Sequence, residues 1–228
     1  MEGTKELRTV NEAARQTKKI EMMEKCFACY AENGLNGVGV KGIADACGCN
    51  PASLYQYFGN LDDLIIQSTA YCMAKVEDDF MAKAPTDPRD VIRFIDEIPY
   101  WTAREHRKKY RLMYQVYTLP KYIEHGKKFF EGVNERYTEC AKQLGPKIGI
   151  SYTVITPLIF ILVRASVHYA MFEDEYFLKS QMEVLKQAVS LFADKYRALY
   201  PDMKPENRNL PILRSSRTSR LPLPGKPK

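Results

Sequence analysis

Between Pro51 and Phe58 the chain sets Pro51, Ala52, Ser53, Tyr55, Gln56 and Tyr57 around an apolar pair, Leu54 and Phe58. At helical spacing that pair faces inward and the six others face away. The outward set consists of small, hydroxyl and amide groups. These suit close approach and hydrogen bonding, not bond breaking. An amide such as that of Gln56 can pair bidentately with adenine in a DNA major groove, worth about 1–3 kcal/mol of discrimination. Nothing comparable points to catalysis. The three histidines, His106, His125 and His168, form no metal-spaced pair. No Gly-x-Ser-x-Gly, phosphate-cradling glycine loop or redox fingerprint is present. We therefore expect no enzyme activity, no cofactor and no metal. Cys26-x-x-Cys29 and Cys47-x-Cys49 have metal-like spacing. No histidine lies near either pair, and Cys26 and Cys47 fall on apolar helix faces, where a free thiol packs as a small hydrophobe.

The elements that must position the Pro51–Phe58 helix are short and well punctuated. A helix from Lys18 to Asn33 buries Ile20, Met23, Phe27 and Tyr30, and Gly34 ends it. A second runs from Val40 to Cys47, burying Ile43, Ala44 and Cys47. Gly48-Cys49-Asn50 is a tight turn in which Asn50 is a good N-cap and Pro51 a good first helical residue. Two short helices joined in this way can present the second one to a major groove. Gly59 breaks that helix, and Asn60 caps the next, which extends to Ala84 with Asp62 and Asp63 in its first turn.

Beyond the Pro85–Pro88 break, apolar periodicity predicts helices over 88–104, 107–118, Pro120–Leu144, 151–173 and 178–200. In the last of these, Met182, Leu185, Val189, Phe192, Tyr196 and Leu199 recur at intervals of three and four, a coiled-coil-like seam. Its neighbour, 151–173, is apolar nearly all round and so needs cover on every side. Together they predict a homodimer built on the last two helices. The same half is rich in aromatic residues. A pocket lined by rings with a few polar tips suits a small molecule. Tyr100, Tyr114, Tyr117, Tyr137, Arg164 and His168 are the candidate ligand residues, the last two one turn apart on what reads as a buried helix.

The 228 residues are 45% hydrophobic and 27% charged, ordinary for one large domain or two small ones. No secretory signal is visible after Met1, and Pro157, Arg164, Ser166 and His168 interrupt the most apolar stretch, so we expect a cytoplasmic protein with no membrane partner. The net charge of +6 equals that of residues 204–228 alone, which hold seven basic groups and one acidic. That Pro-rich tail cannot bury enough surface to offset its ordering entropy, so we expect it to be disordered.

Met22–Leu64 resembles the DNA-binding domain of the TetR family of bacterial repressors. The resemblance rests on Tyr30-Ala31-Glu32-Asn33-Gly34, Val40-Lys41-Gly42-Ile43-Ala44, Ala46-Cys47-Gly48, Leu54-Tyr55-Gln56-Tyr57-Phe58 and Asp62-Asp63-Leu64, in order and with the right loop lengths. It implies an all-α fold. A three-helix helix-turn-helix domain (17–64) follows an extension (1–16) and is linked by a helix to a ligand-binding and dimerisation domain (65–203). It also implies double-stranded operator DNA and a small-molecule effector as partners. Carried over by position, Lys41 reaches a base or phosphate, Pro51, Ala52, Ser53 and Gln56 face base edges, and Tyr55 and Tyr57 reach phosphates or bases. Gly39 would contribute a backbone N–H to phosphate.

Two departures bear on affinity. The family usually has Thr or Ser at the position of Gly39 and Lys at that of Leu61, and both hold phosphate. Residues 17–64 also carry four basic and six acidic groups, a net −2 where DNA-binding surfaces are normally basic. Arg8, Arg15, Lys18, Lys19 or the tail are the candidate compensating cations. The resemblance further implies that effector binding moves helix 60–84 and spoils half-site spacing, releasing a repressor from DNA. The alternative is an all-helical small-molecule-binding or adaptor protein with weak or lost operator binding.

Overall fold

The computed structural model describes residues 2–85, 90–148 and 150–199. Within them every extended element is an α-helix: α1 (Glu2–Asn33), α2 (Val40–Cys47), α3 (Pro51–Phe58), α4 (Leu61–Ala82), α5 (Val91–Tyr117), α6 (Ile123–Ile148), α7 (Tyr152–Phe172) and α8 (Glu175–Leu199). A 3-10 turn, Pro120–Tyr122, precedes α6. The tail 204–228 and the side chains of Arg8, Tyr196 and Leu199 lie outside the described residues.

The helices form two compact units. The first comprises α1 to α3, α4 as far as Val76, and the segment Arg111–Gly126. This unit takes in residues 17–64 and the flanking segments. Its core joins Met22, Met23, Cys26, Phe27 and Tyr30 of α1 to Ile43, Cys47, Leu54, Phe58 and Leu64. The 3-10 turn belongs to this unit. Lys121 Nζ and the Tyr122 hydroxyl both donate to Asp62 Oδ1, at 2.8 and 2.5 Å. Gly126 lets α6 start against Tyr117, because an added Cβ would sit 2.8 Å from the Tyr117 Cβ.

The second unit comprises Glu77–Tyr110 and the chain from Lys127 onward. α5 is one helix where the sequence predicts two. The polar run Arg104–Lys109 reads as a break, but His106 is buried at 4% exposure and its flanking residues continue the helix. α6 likewise runs through Gly145-Pro146 instead of ending there. Gly145 admits the returning chain: its carbonyl accepts from the Ile150 N–H at 3.1 Å, and a Cβ would meet the Ile150 carbonyl oxygen at 2.7 Å. α1 also begins far earlier than Lys18.

α7 departs from expectation. Among the described residues it is the one helix long and apolar enough to cross a membrane, yet only 33% of its most apolar stretch is buried within the chain. Ile155, Leu162, Ala165 and Val167 pack inward, whereas Ile161 and Phe172 are exposed. α8 has two apolar stripes. Leu178, Met182 and Leu185 are buried in the unit's own core, so two of the expected dimer residues face inward. Val184, at 65% exposure, and Leu191, at 69%, lie on the outer stripe with Phe177.

Candidate nucleic-acid interface

α2, the turn and α3 have the bounds expected of them, and local chemistry explains why. Gly48 adopts φ 66°, a left-handed conformation that suits glycine, and its N–H caps the end of α2. Asn50 accepts from the Ser53 N–H at 2.8 Å, with Pro51 in the first turn of α3. Asn60 repeats the device on α4, accepting from the Asp63 N–H at 2.8 Å and donating to the Asp63 carboxylate at 3.0 Å.

α3 buries Leu54 and Phe58 and turns its other side outward. Pro51, Ala52, Tyr55 and Gln56 are exposed, as are Gly39 and Lys41 at the start of α2. Ser53 is half-buried, and its hydroxyl donates to Asn50 Oδ1 at 3.1 Å. It retains acceptor capacity only. Tyr57 is half-buried beneath Arg15, whose guanidinium carbon lies 5.6 Å from the ring centroid. One continuous surface thus gathers a small residue, an amide and phenol groups. Amide and hydroxyl groups of this kind can hydrogen-bond to base edges.

The acidic balance of this region is tempered in three dimensions. Glu24 pairs with Lys75 at 2.6 Å, Glu21 with Lys18 at 3.4 Å, and Asp62 with Lys121 at 2.8 Å. The Lys121 and Tyr122 bonds hold the Asp62 carboxyl below its usual range. Two of these cations come from outside residues 17–64. Sequence alone could not pair them with these acids. Cys26 and Cys47 are buried, and desolvation pushes their thiols up to about 12 and about 11, so both behave as small apolar groups.

Gly39 caps α2 with extended backbone (φ −89°) and no side-chain bond, and a Cβ added there meets nothing within 4 Å. Gly39→Ser is therefore expected to fit without strain. Its hydroxyl can accept from the first free N–H groups of α2, raising stability by a few tenths of a kcal/mol. It should also tighten binding to duplex DNA, by restoring a phosphate ligand. Thermal melts and fluorescence anisotropy on a labelled duplex check both effects.

The family model for bacterial regulatory proteins of the TetR family matches residues 24–67. Residues 24–67 are thus similar to the N-terminal segment of the TetR-family regulators. The fold of the chain is similar to solved TetR-family structures along most of its length. A transcriptional regulator from Mesorhizobium loti aligns with a TM-score of 0.60 at 16% identity, covering 80% of this chain and 98% of that one. A TetR regulator from Haloarcula marismortui aligns with a TM-score of 0.61 at 19% identity, covering 78% and 98%. The fatty acid degradation regulator FadR from Bacillus halodurans gives 0.52 at 18%, covering 77% and 94%. No curated protein matches the chain. The matched residues take in α2, the turn and α3.

The candidate ligand residues are divided between the two units. Tyr114 and Tyr117 belong to the first unit and Tyr137 to the second. Tyr100 is exposed and donates to Glu175 at 3.2 Å. Arg164 is exposed and lies over the Phe130 ring at 5.9 Å, and His168 sits half-buried 3.8 Å from Asp174. Because α7 is only partly covered, Arg164 needs no buried anion.

Sequence reasoning missed the buried polar groups of the second unit. Glu77 is 5% exposed and accepts from the hydroxyls of Tyr137 and, at 3.4 Å, Tyr110. Burial holds its carboxyl above the usual range. Thr102 Oγ1 and His106 Nε2 are buried without a hydrogen-bond partner. Thr102, His106 and Tyr110 recur every fourth residue of α5, a signal present in the sequence. Nothing local marks Glu77, which opens an ordinary-looking run of three acids.

Proposed function

We propose that this protein is a dimeric transcriptional regulator that binds operator DNA through α3 and leaves it when a small molecule binds the second unit. The observation that carries the reading is the outward presentation of Pro51, Ala52, Tyr55 and Gln56 while Leu54 and Phe58 anchor the helix. Lys41 and the N-terminus of α2 at Gly39 flank that surface and serve as phosphate ligands. A gel shift against the DNA flanking the protein's own gene tests it. Tyr55→Ala and Gln56→Ala are expected to weaken binding at least tenfold each without lowering the melting temperature, since both residues are exposed. Full retention of binding in the double variant overturns the assignment of α3.

The dimer reading is supported by the apolar surface left open on α7 and α8. Phe177, Val184 and Leu191 are seven residues apart, and all are exposed. This outer stripe, with Ile161 and Phe172 of α7, is the face we assign to the twofold partner. Val189, half-buried, and Phe192, at 38% exposure, border it.

The effector reading is supported by the orphaned groups of α5. Lys109 Nζ lies 3.2 Å from His106 Nδ1. An ammonium only donates, so Nδ1 accepts and the ring proton sits on Nε2. Burial lowers the His106 pKa and keeps the ring neutral. Its Nε2–H therefore presents a buried donor, with the nearest acid, Asp79, 3.8 Å away and beyond hydrogen-bond reach. Thr102 adds a hydroxyl one turn away. A largely apolar compound carrying an oxygen acceptor meets both. Its preference for the non-binding dimer need supply only about 1–3 kcal/mol of coupling.

A further inference from the structure

α1 extends the DNA-binding unit well upstream of residue 24, where the family match starts. Arg15 and Lys19 lie on this added stretch, one turn apart on one face. Both are fastened to the last turn of α3. Arg15 Nη2 donates to the Gln56 carbonyl at 3.3 Å, and its guanidinium covers Tyr57. Lys19 Nζ lies 5.2 Å from the centroid of Phe58. Cations belong at a helix C-terminus, so some of this arrangement is capping. Capping leaves most of the donors spare. A guanidinium has five N–H groups and an ammonium three. Among the described residues, one Arg15 donor is engaged and Lys19 makes no ion pair. Lys18, Lys75 and Lys121, by contrast, are each held by a carboxylate.

Like charges one turn apart repel. Burial first, and then the Arg15 charge, lower the Lys19 pKa, and Asp63 opposes them. Among the described residues no carboxylate pairs with either cation, so the two form an open cationic site beside α3. The two usual phosphate ligands are missing from this same module, at Gly39 and Leu61. We propose that Arg15 and Lys19 form a clamp for DNA backbone phosphate that replaces them. The clamp rests on the operator-binding reading and extends it to residues outside the family's matched segment. Tyr57, held under Arg15, places a phenol group beside the same phosphate. Such contacts are indifferent to base sequence, so the clamp sets affinity and orientation and leaves base choice to the outer face of α3.

The test needs no operator. The full chain is titrated with a labelled random-sequence duplex of two to three helical turns, between about 50 and 200 mM salt. In Arg15→Gln with Lys19→Gln, the slope of log Kd against log salt is expected to fall by about 0.9 for each phosphate that is no longer neutralised. Arg15→Lys with Lys19→Arg keeps both charges and retains the wild-type slope, which separates charge from packing. Adding Leu61→Lys to the double glutamine variant is expected to restore about one phosphate partner, or about 0.9 of slope. Wild-type duplex binding with an unchanged slope in the glutamine variant overturns the clamp and leaves operator binding standing. Absence of wild-type duplex binding at the lowest salt overturns both.

Discussion

Glu77→Ala is expected to lower the unfolding free energy by about 2–4 kcal/mol, because it leaves the buried Tyr137 hydroxyl without its acceptor and removes a bond from Tyr110. Glu77→Gln keeps the acceptor and the volume and so separates the hydrogen bonds from the charge. The sign of the pH effect follows from burial, which raises the native carboxyl above its unfolded value. Below the unfolded pKa the group is protonated in both states and costs nothing. As pH rises past that value the unfolded chain ionises first, so wild-type stability falls until the native carboxyl also loses its proton. The glutamine variant escapes this loss. Denaturant melts at about pH 4 and about pH 8 should therefore show its advantage growing with pH. Parallel curves for the two proteins would falsify the buried-acid account. Arg136, which pairs with Asp78 and pulls the other way, limits the size of the effect.

The second large effect concerns association. Val184→Glu combined with Leu191→Glu places charge on the outer stripe of α8 and leaves the buried stripe untouched. Every substitution occurs twice across a twofold axis. A loss of about 2 kcal/mol per copy at a central position becomes about 4 kcal/mol, roughly a thousandfold in dimer Kd. Sedimentation velocity is expected to show a folded monomer with an unchanged helical circular dichroism signal. Met182→Glu is the contrast. That side chain is 5% exposed, so the charge is expected to unfold the second unit instead of separating folded protomers. A dimer that survives both exposed substitutions would remove this face from consideration.

Much of the first unit was legible because its decisions are local. A left-handed glycine at 48 and an asparagine cap at 50 act within a few residues, and they set the bounds of α2 and α3 whatever lies elsewhere. The outward set on α3 follows from Leu54 and Phe58 by helical geometry alone. Longer-range features were not legible. The run Arg104–Lys109 looks like a loop until His106 is seen to be buried. The acidic excess of 17–64 looks adverse until Lys75 and Lys121 arrive from distant segments.

By itself, then, the sequence determined the helical class, the two short helices and their turn, and the side of α3 that faces outward, because each depends on periodicity and caps over a few turns. Tertiary structure decided which of two apolar stripes on α8 turns inward, where the Arg15 and Lys19 side chains rest, and that Glu77 is buried. Those outcomes depend on what packs against each helix, and the pattern along a linear chain carries no record of its neighbour in space.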